Sequence, residues 1–470
     1  MERIEPGLAR DLFSTDQTRE IEQALARRLP AHTLMQRAGE AVGRLALAVA
    51  PHAKAVWLGC GPGNNGGDGL QAAAWLQASG KACHVTWLGS TEAMSTDTAL
   101  AWRQAKDAGV QWCESLQDVA GDVDLCVDAL LGLGSNSRPI EGRLAELLRQ
   151  IQQHKTPVLA VDLPTGLDAD TGNLNNLAVR ADHTLSLLTL KPGLFTGHGR
   201  DHVGQVWLDA LQRPADPALA GGEPAAQLLA AAQAPTRAHA SHKGSYGDVA
   251  VLGGAPGMAG AAVLAASAAL HAGAGRVFVS LLDPSAANYD AAQPELMFRA
   301  LQDIELSSMT LVCGCGAGAD AATLVDAALP GTRSLVLDAD ALNAIAADDS
   351  LKARLLGRAK SAAGTVLTPH PLEAARLLGC STNDVQNNRL AAAKQLSKAF
   401  QCCVVLKGSG TVISAPGQIS RINPTGSARL AIAGTGDVLA GLIGARIAQG
   451  HNPWDAACAA GYQHGELADD

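Results

Sequence analysis

Apolar and polar positions fall into repeating blocks along this chain. Residues 15–29 and 33–50 read as helices, with Pro30 between them. A series of short, almost continuously apolar runs follows, each paired with a longer mixed segment. The runs at 55–60, 82–88, 125–131 and 158–163 predict strands, and 70–79, 96–108 and 140–154 predict helices. Strands without polar alternation are buried on both faces, and strict β-α alternation builds a parallel sheet with helices on either side. Runs at 184–190 and 203–208 extend that sheet.

The pattern breaks between Gln212 and Ala240. Pro214, Pro217, Gly221, Gly222, Pro224 and Pro235 surround alanine-rich sequence there. This stretch is expected to link two domains, with one short helix at 225–232. A second α/β series begins after it. Strands are expected at 248–253, 276–281, 310–313, 335–338 and 365–368, and helices at 259–272, 372–378 and 389–400. A strand pair at 403–407 and 411–414 flanks Gly408-Ser409-Gly410. The expected organisation is therefore two α/β domains, 1–211 and 241–470, joined by a linker at 212–240.

Composition narrows the function classes. A chain of 470 residues is long enough for two or three domains, and 47% hydrophobic residues supply their cores. A formal net charge of -9 leaves no basic excess for a nucleic-acid backbone. The first residues carry Glu2, Arg3, Glu5, Arg10 and Asp11, with no apolar signal segment behind them. The most apolar stretches, 257–275 and 431–449, are Ala/Gly-rich and contain His271, Asp437 and Arg446, which suits buried helices better than membrane spans. The 10 cysteines include no CxxC pair, and Cys313/Cys315 and Cys402/Cys403 are too close for common zinc spacing. Core thiols in a reducing cytoplasm are expected.

The densest chemistry lies at Ala433-Gly434-Thr435-Gly436-Asp437. Glycines ahead of a helix leave N–H groups open to phosphate oxygens. A carboxylate beside bound phosphate is repelled unless it has a task, and Asp437 reads as a general base for a hydroxyl that meets a phosphoryl group. The plainer reading is a first-turn acid favoured by the helix dipole, worth about 0.3–1 kcal/mol. In the first domain, Gly61-Pro62-Gly63-Asn64-Asn65-Gly66-Gly67-Asp68-Gly69 follows a strand and opens a helix. Asp128 and Asp162 mark two further strand ends, the second continuing Leu163-Pro164-Thr165-Gly166. Ligands bind at the carboxyl ends of parallel strands. Oxygens from three such ends could enclose a hard cation and leave a carboxylate for proton transfer.

These first-domain stretches resemble the NAD(P)H-hydrate epimerase domain, with Thr165 where the family usually has Ser. The resemblance implies a Rossmann-like three-layer α/β/α fold that binds potassium through Asn65, Asp128 and Thr165. It places Asn64, Asn65, Gly66, Gly67, Asp68, Gly132, Leu133, Gly134, Ser135, Asn136, Ser137, Arg138 and Asp162 against the substrate. The reaction would interconvert the R and S epimers of hydrated NADH or NADPH. Asp128 is also the candidate acid/base.

In the second domain, Gly253-Gly254-Ala255-Pro256-Gly257 precedes a small-residue helix. Gly314–Gly318, Asp338 with Asp340, Thr368-Pro369-His370-Pro371-Leu372-Glu373 and Lys407-Gly408-Ser409-Gly410-Thr411 each end a strand. Their order, with the Asp437 loop last, resembles the ribokinase-like α/β fold and, within it, the ADP-dependent NAD(P)H-hydrate dehydratase domain. Vitamin kinases of that fold tend to carry Asn at the position of His370. The resemblance implies nucleotide contacts from Lys407, Gly408, Ser409, Gly410, Thr411 and Gly436, and hydrate contacts from Ala261, Gly318, His370 and Asp437. Asp437 would deprotonate the ring hydroxyl as it takes phosphate from ADP. Magnesium would be held through phosphate oxygens and Glu373. Members usually continue past the position of Asp470, and a homo-oligomer is implied. Two other readings stay open: a small-molecule kinase fused to a nucleotide-binding domain, and a first domain that only binds.

Overall fold

The computed structural model describes residues 1–90, 92–119, 122–133, 139–216, 221–232, 238–360 and 364–469. It divides into two compact units, Met1–Glu5 with Arg10–Ala226, and Pro6–Ala9 with Gln227–Asp470.

The first unit is built on one sheet. Its strands, in spatial order, are Glu2–Arg3, Gln205–Asp209, His183–Leu187, Val158–Val161, Leu125–Ala129, Ala55–Cys60, Ala82–Trp87 and Gln111–Trp112. All pairings are parallel except that of Glu2–Arg3 at the edge. The sheet is covered on both faces. Val56, Leu58 and Cys60 join the core shared with helices Thr15–Ala26, Thr33–Val49, Asn64–Ala78 and Thr96–Asp107. Trp57, pointing the other way, joins the core of helix Gly142–Gln153. Its ring is fully buried, and its Nε1–H donates to Thr86 Oγ1 at 3.0 Å. That bond satisfies the one polar atom of a side chain whose burial stabilises the unit by roughly 2–3 kcal/mol.

The 64–78 helix starts six residues earlier than the apolar pattern suggests, because glycines form its first turns. A Cβ on Gly66 would stand 1.8 Å from the carbonyl oxygen of Gly61, so only glycine lets the helix seat on the strand end. That close seat carries Asn64, Asn65 and Asp68 over the carboxyl end of the sheet.

The second unit's sheet runs Met297–Phe298, Arg276–Leu281, Asp248–Gly253, Thr310–Cys313, Ser334–Leu337, Gly364–Leu367, Cys403–Leu406, Val412–Ser414, Arg421–Ile422 and Ala226–Leu228. Parallel order holds as far as Cys403–Leu406, after which two antiparallel pairings turn the chain back. Helices Ala259–His271, Thr435–Ala448 and Pro453–Asp469 pack on one face, over Val249, Val251, Val312, Val336 and Val405. The expected helix at 225–232 is absent: Ala226–Leu228 is a strand, parallel to Arg421–Ile422. Ala226 and Leu228 are buried around a half-buried Gln227, so the register of the sheet overrides the helical propensity of alanine. Among the described residues, no helix is long and apolar enough to cross a membrane. No described cysteine forms a disulfide, and seven of the ten are buried.

Candidate active sites

In the first unit the three acid-bearing segments meet at the carboxyl end of the sheet. Asp128 closes the Leu125–Ala129 strand and is fully buried. Its Oδ2 accepts from the Thr165 backbone N–H at 2.8 Å, and its Oδ1 from the Thr165 hydroxyl at 2.7 Å and Leu130 N–H at 3.2 Å. Burial raises its pKa to about 6, against the pull of these donors. Thr165 Oγ1 also accepts from Leu131 N–H at 3.0 Å. Asn65 lies across the loop from Gly132, where a Cβ would come within 3.1 Å of the Asn65 side chain. Both polar atoms of the Asn65 amide are buried with no protein partner. A buried amide left without a partner costs on the order of 1–3 kcal/mol, so this one is shaped for a group the protein itself does not supply.

Beside them opens a cleft of about 460 Å³, walled by Asn64, Asn65, Asp68, Gly132, Leu133 and Asp162 among others. Asp162 sits at φ +65, an uncommon conformation for a residue with a side chain. It is held there by Leu187 N–H, which donates to Oδ1 at 3.0 Å, and by an ion pair with Lys191. Lys191 is completely buried and also donates to Leu187 O at 2.9 Å and Ser186 Oγ at 3.2 Å. Lys191 did not stand out in the sequence. A lysine directly after the apolar run 184–190 (Lys191-Pro192) is the one signal it offers. Gly66 and Gly67 are buried in the first turns of the helix, while Gly134, Ser135, Asn136, Ser137 and Arg138 lie outside the described residues.

In the second unit, the strand ends deliver a charged cluster to the start of helix Thr435–Ala448. Gly434 precedes it at φ +93, and Asp437 stands in its first turn. Asp338, nearly fully buried, accepts from Lys407 Nζ at 2.6 Å and from the Thr368 hydroxyl at 2.7 Å, both on Oδ1. Ala339 takes φ +50, which turns Asp340 to accept from Gly318 N–H at 2.8 Å. Lys407 also reaches the glycine loop: a Cβ on Gly436 would lie 3.1 Å from its Nζ. Burial lowers the pKa of Lys407, but Asp338 and Glu373 outweigh it and hold the ammonium charged. Asp437 moves the other way. Burial and the nearby Asp338 raise it to about 6, while a hydrogen bond from Cys315 and the charge of Lys407 pull it down. The ligand atoms of Cys315, Asp338 and Asp437 all lie within 4.8 Å of one another.

The remaining residues ring this cluster. Gly316 packs against Ala261 and Met258, and Gly318 against Met258, so Ala261 and Gly318 share one edge. His370 caps helix Pro371–Leu378: its Nδ1 accepts from Leu372 N–H at 3.1 Å, and its Nε2 lies 3.2 Å from Glu373 Oε1. Burial and the charge of Lys407 lower its pKa and keep it neutral. Glu373 is buried, accepts from His370 N–H at 2.8 Å, and is raised to about 7, mainly by burial. Both of its oxygens are turned onto His370, an arrangement that does not present them to the expected magnesium.

Two further residues escaped the sequence reading. Arg389 is buried and donates to Leu406 O and Lys407 O at 3.2 and 3.1 Å, bracing the turn at Gly408. His464 lies beside Thr435 and Lys407, with its pKa lowered chiefly by burial. Each comes from a separate helix, where one polar residue on a partly apolar face gives no local sign of its neighbours.

Two family descriptions match the chain. "NAD(P)H-hydrate dehydratase" covers residues 249–470, and "YjeF-related protein N-terminus" covers 31–193. The chain is 37% identical to the Escherichia coli bifunctional NAD(P)H-hydrate repair enzyme Nnr, over 94% of this chain and 85% of that protein. It is 33% identical to the Coxiella burnetii enzyme of the same name, over 97% of this chain and 94% of that one. The Vibrio cholerae enzyme is 34% identical over 100% and 95%. A solved ADP/ATP-dependent NAD(P)H-hydrate dehydratase from Bacillus subtilis aligns with 50% of this chain and 84% of its own, at 28% identity and a TM-score of 0.40. The three bifunctional relatives match nearly the whole chain, across both units, and do not favour the kinase reading. The chain thus belongs to the family of bifunctional NAD(P)H-hydrate repair enzymes, with a Rossmann-like epimerase domain followed by a ribokinase-like dehydratase domain.

Proposed function

We propose that each strand-end cluster is the active site of its domain. In the first, the hydrated nicotinamide ring enters the cleft against Asn64, Asn65, Asp68, Gly132, Leu133 and Asp162. Potassium fits the adjacent oxygens. Asn65 has an amide oxygen buried without a partner, and Asp128 and Thr165 supply the carboxylate and hydroxyl beside it. When bound, the ion would supply fixed positive charge for an anionic part of the substrate. Asp128, sealed behind Thr165 and Leu130, is better placed to hold the ion than to exchange protons with substrate.

In the second domain, Lys407 and the N–H groups around Gly436 receive the phosphates of ADP, with Gly408, Ser409, Gly410 and Thr411 along the nucleotide. The hydrate lies by Ala261, Gly318 and His370. Asp437 takes the proton of the ring hydroxyl as its oxygen attacks the terminal phosphorus, and AMP departs. The carbon–oxygen bond then breaks, phosphate leaves with the bonding pair, and a proton lost from the neighbouring carbon completes the double bond. Phosphorylation converts hydroxide, a poor leaving group, into a good one. Magnesium would travel with the nucleotide's phosphates, and no step depends on Glu373.

The observation that carries this reading is Asp437 itself. It is a partly buried carboxyl with pKa raised to about 6, one helical turn from a glycine anion site and near a charged lysine. Replacing Asp437 by Asn tests it: ADP-dependent recovery of NADH from the S hydrate should fall by about 100-fold or more, with nucleotide binding retained.

A further inference from the structure

Asp128 is sealed from the first-domain cleft, so it is not a group that moves protons there. The reaction needs one. The hydrated carbon bears both a hydroxyl and the ring nitrogen, and inverting it requires the hydroxyl to leave and water to return on the other face. One group must protonate the departing oxygen, and another must take a proton from the incoming water.

The cleft is walled by more carboxyl groups than substrate contact requires: Glu22, from helix Thr15–Ala26, and Asp97 join Asp68 and Asp162. Their environments differ. Asp162 is ion-paired with Lys191. Asp97 lies against His32 Nδ1. For Glu22 and Asp68, no salt bridge is seen among the described residues. Burial, then the charges of Glu22, Asp162 and Asp97, push the Asp68 carboxyl well above the usual range. Burial and Asp162 raise Glu22 as well, while Lys191 and Arg19 pull it down. Both carboxyl groups line one cleft and both are biased toward the protonated form, which suits one as acid and the other as base.

We propose that Glu22 and Asp68 are the proton-transfer pair of the epimerisation. The protonated member gives its proton to the ring hydroxyl. The carbon–oxygen bond breaks with its electrons on oxygen, water leaves, and the nitrogen lone pair forms a C=N bond. Water then bonds to the same carbon from the opposite face, the C=N pair returns to nitrogen, and the extra proton passes to the ionised carboxylate. Substrate composition is unchanged and the pair regains its proton. The cationic ring formed in between shares the cleft with Asp97 and Asp162, whose carboxylates favour it, and with the apolar side chains of Met35 and Leu188. The proposal rests on this cleft being the epimerisation site.

The test uses the full chain without ADP, so that dehydration is idle, and follows one purified epimer of hydrated NADH toward the equilibrium mixture by chromatography. Glu22→Gln and Asp68→Asn should each lower kcat by about 100-fold or more, with KM within about threefold of native. The native kcat–pH profile should be a bell, and each variant should lose one limb. Glu22→Asp should recover part of the rate, which separates proton transfer from a folding defect. Native kcat in both amide variants, or a raised KM with unchanged kcat, overturns the pair. Asn65→Ala separates the two levels of the argument. If it is inactive while both amide variants epimerise normally, the cleft stands and the pair falls. If Asn65→Ala and both amide variants are all as active as native, the cleft assignment falls and the pair with it.

Discussion

The thiol of Cys315 hydrogen-bonds to the carboxyl of Asp437, and burial holds that thiol protonated far above its ordinary range. Donation to the ionised carboxylate favours it, so this bond lowers the pKa of the proposed base. Removing the donor in Cys315→Ala should raise it. A net hydrogen bond of about 1 kcal/mol corresponds to roughly 0.7 pH unit. The acid limb of the dehydration rate, near pH 6 in the native chain, should move up by that amount, with the plateau rate above pH 8 little changed. Cys315→Ser should restore the native limb. Rate–pH profiles of the three chains decide this.

The Lys407–Asp338 pair gives a stability prediction. The lysine is 19% exposed and the aspartate 2%. Asp338→Ala leaves a largely buried ammonium without its partner, and should destabilise the second domain by about 3 kcal/mol in urea unfolding. Adding Lys407→Met should return part of that loss, because the unpaired charge is then gone.

Asp128 makes potassium visible without an activity assay. Its folded pKa of about 6 lies above the unfolded value. Stability from its protonated form is therefore fully present below about pH 4 and is lost as pH rises through about 6. A cation bound by Asn65, Asp128 and Thr165 would offset that loss. Potassium should then raise the melting temperature of the first domain at pH 7.5, relative to choline at equal ionic strength. The increment should shrink toward pH 5 and vanish in Asn65→Ala.

Close helix seating also has a test. Gly66→Ala places a methyl group 1.8 Å from Gly61 O. The backbone must shift, at about 1–3 kcal/mol. The same shift displaces Asn65, so epimerisation should fall even where the domain still folds.

The sequence was most informative where one face-to-face pattern decided the structure. Strands 55–60, 248–253, 276–281 and 310–313 have the bounds that their apolar runs suggest, because each is sandwiched between helices. It misled at 225–232, where an alanine-rich segment is a strand set by pairing with Arg421–Ile422, a partner almost 200 residues on. The strand-end rule gathered Asp128, Thr165 and Asn65 in one place, and Asp338, Lys407 and Asp437 in another. It gave no access to Lys191 on Asp162, Arg389 behind Gly408, or Glu22 across the cleft. Those neighbours come from tertiary packing, and the local sequence around each reads as an ordinary helix or loop.

The most direct measurement is recovery of NADH from its chemically formed hydrate, supplied as both epimers with ADP, magnesium and potassium. The native chain should restore the whole of the reduced-nicotinamide absorbance. Asn65→Ala should rapidly restore only the S fraction, and Asp437→Asn should restore almost none. Failure of the folded native chain to restore absorbance with either ADP or ATP would contradict the account.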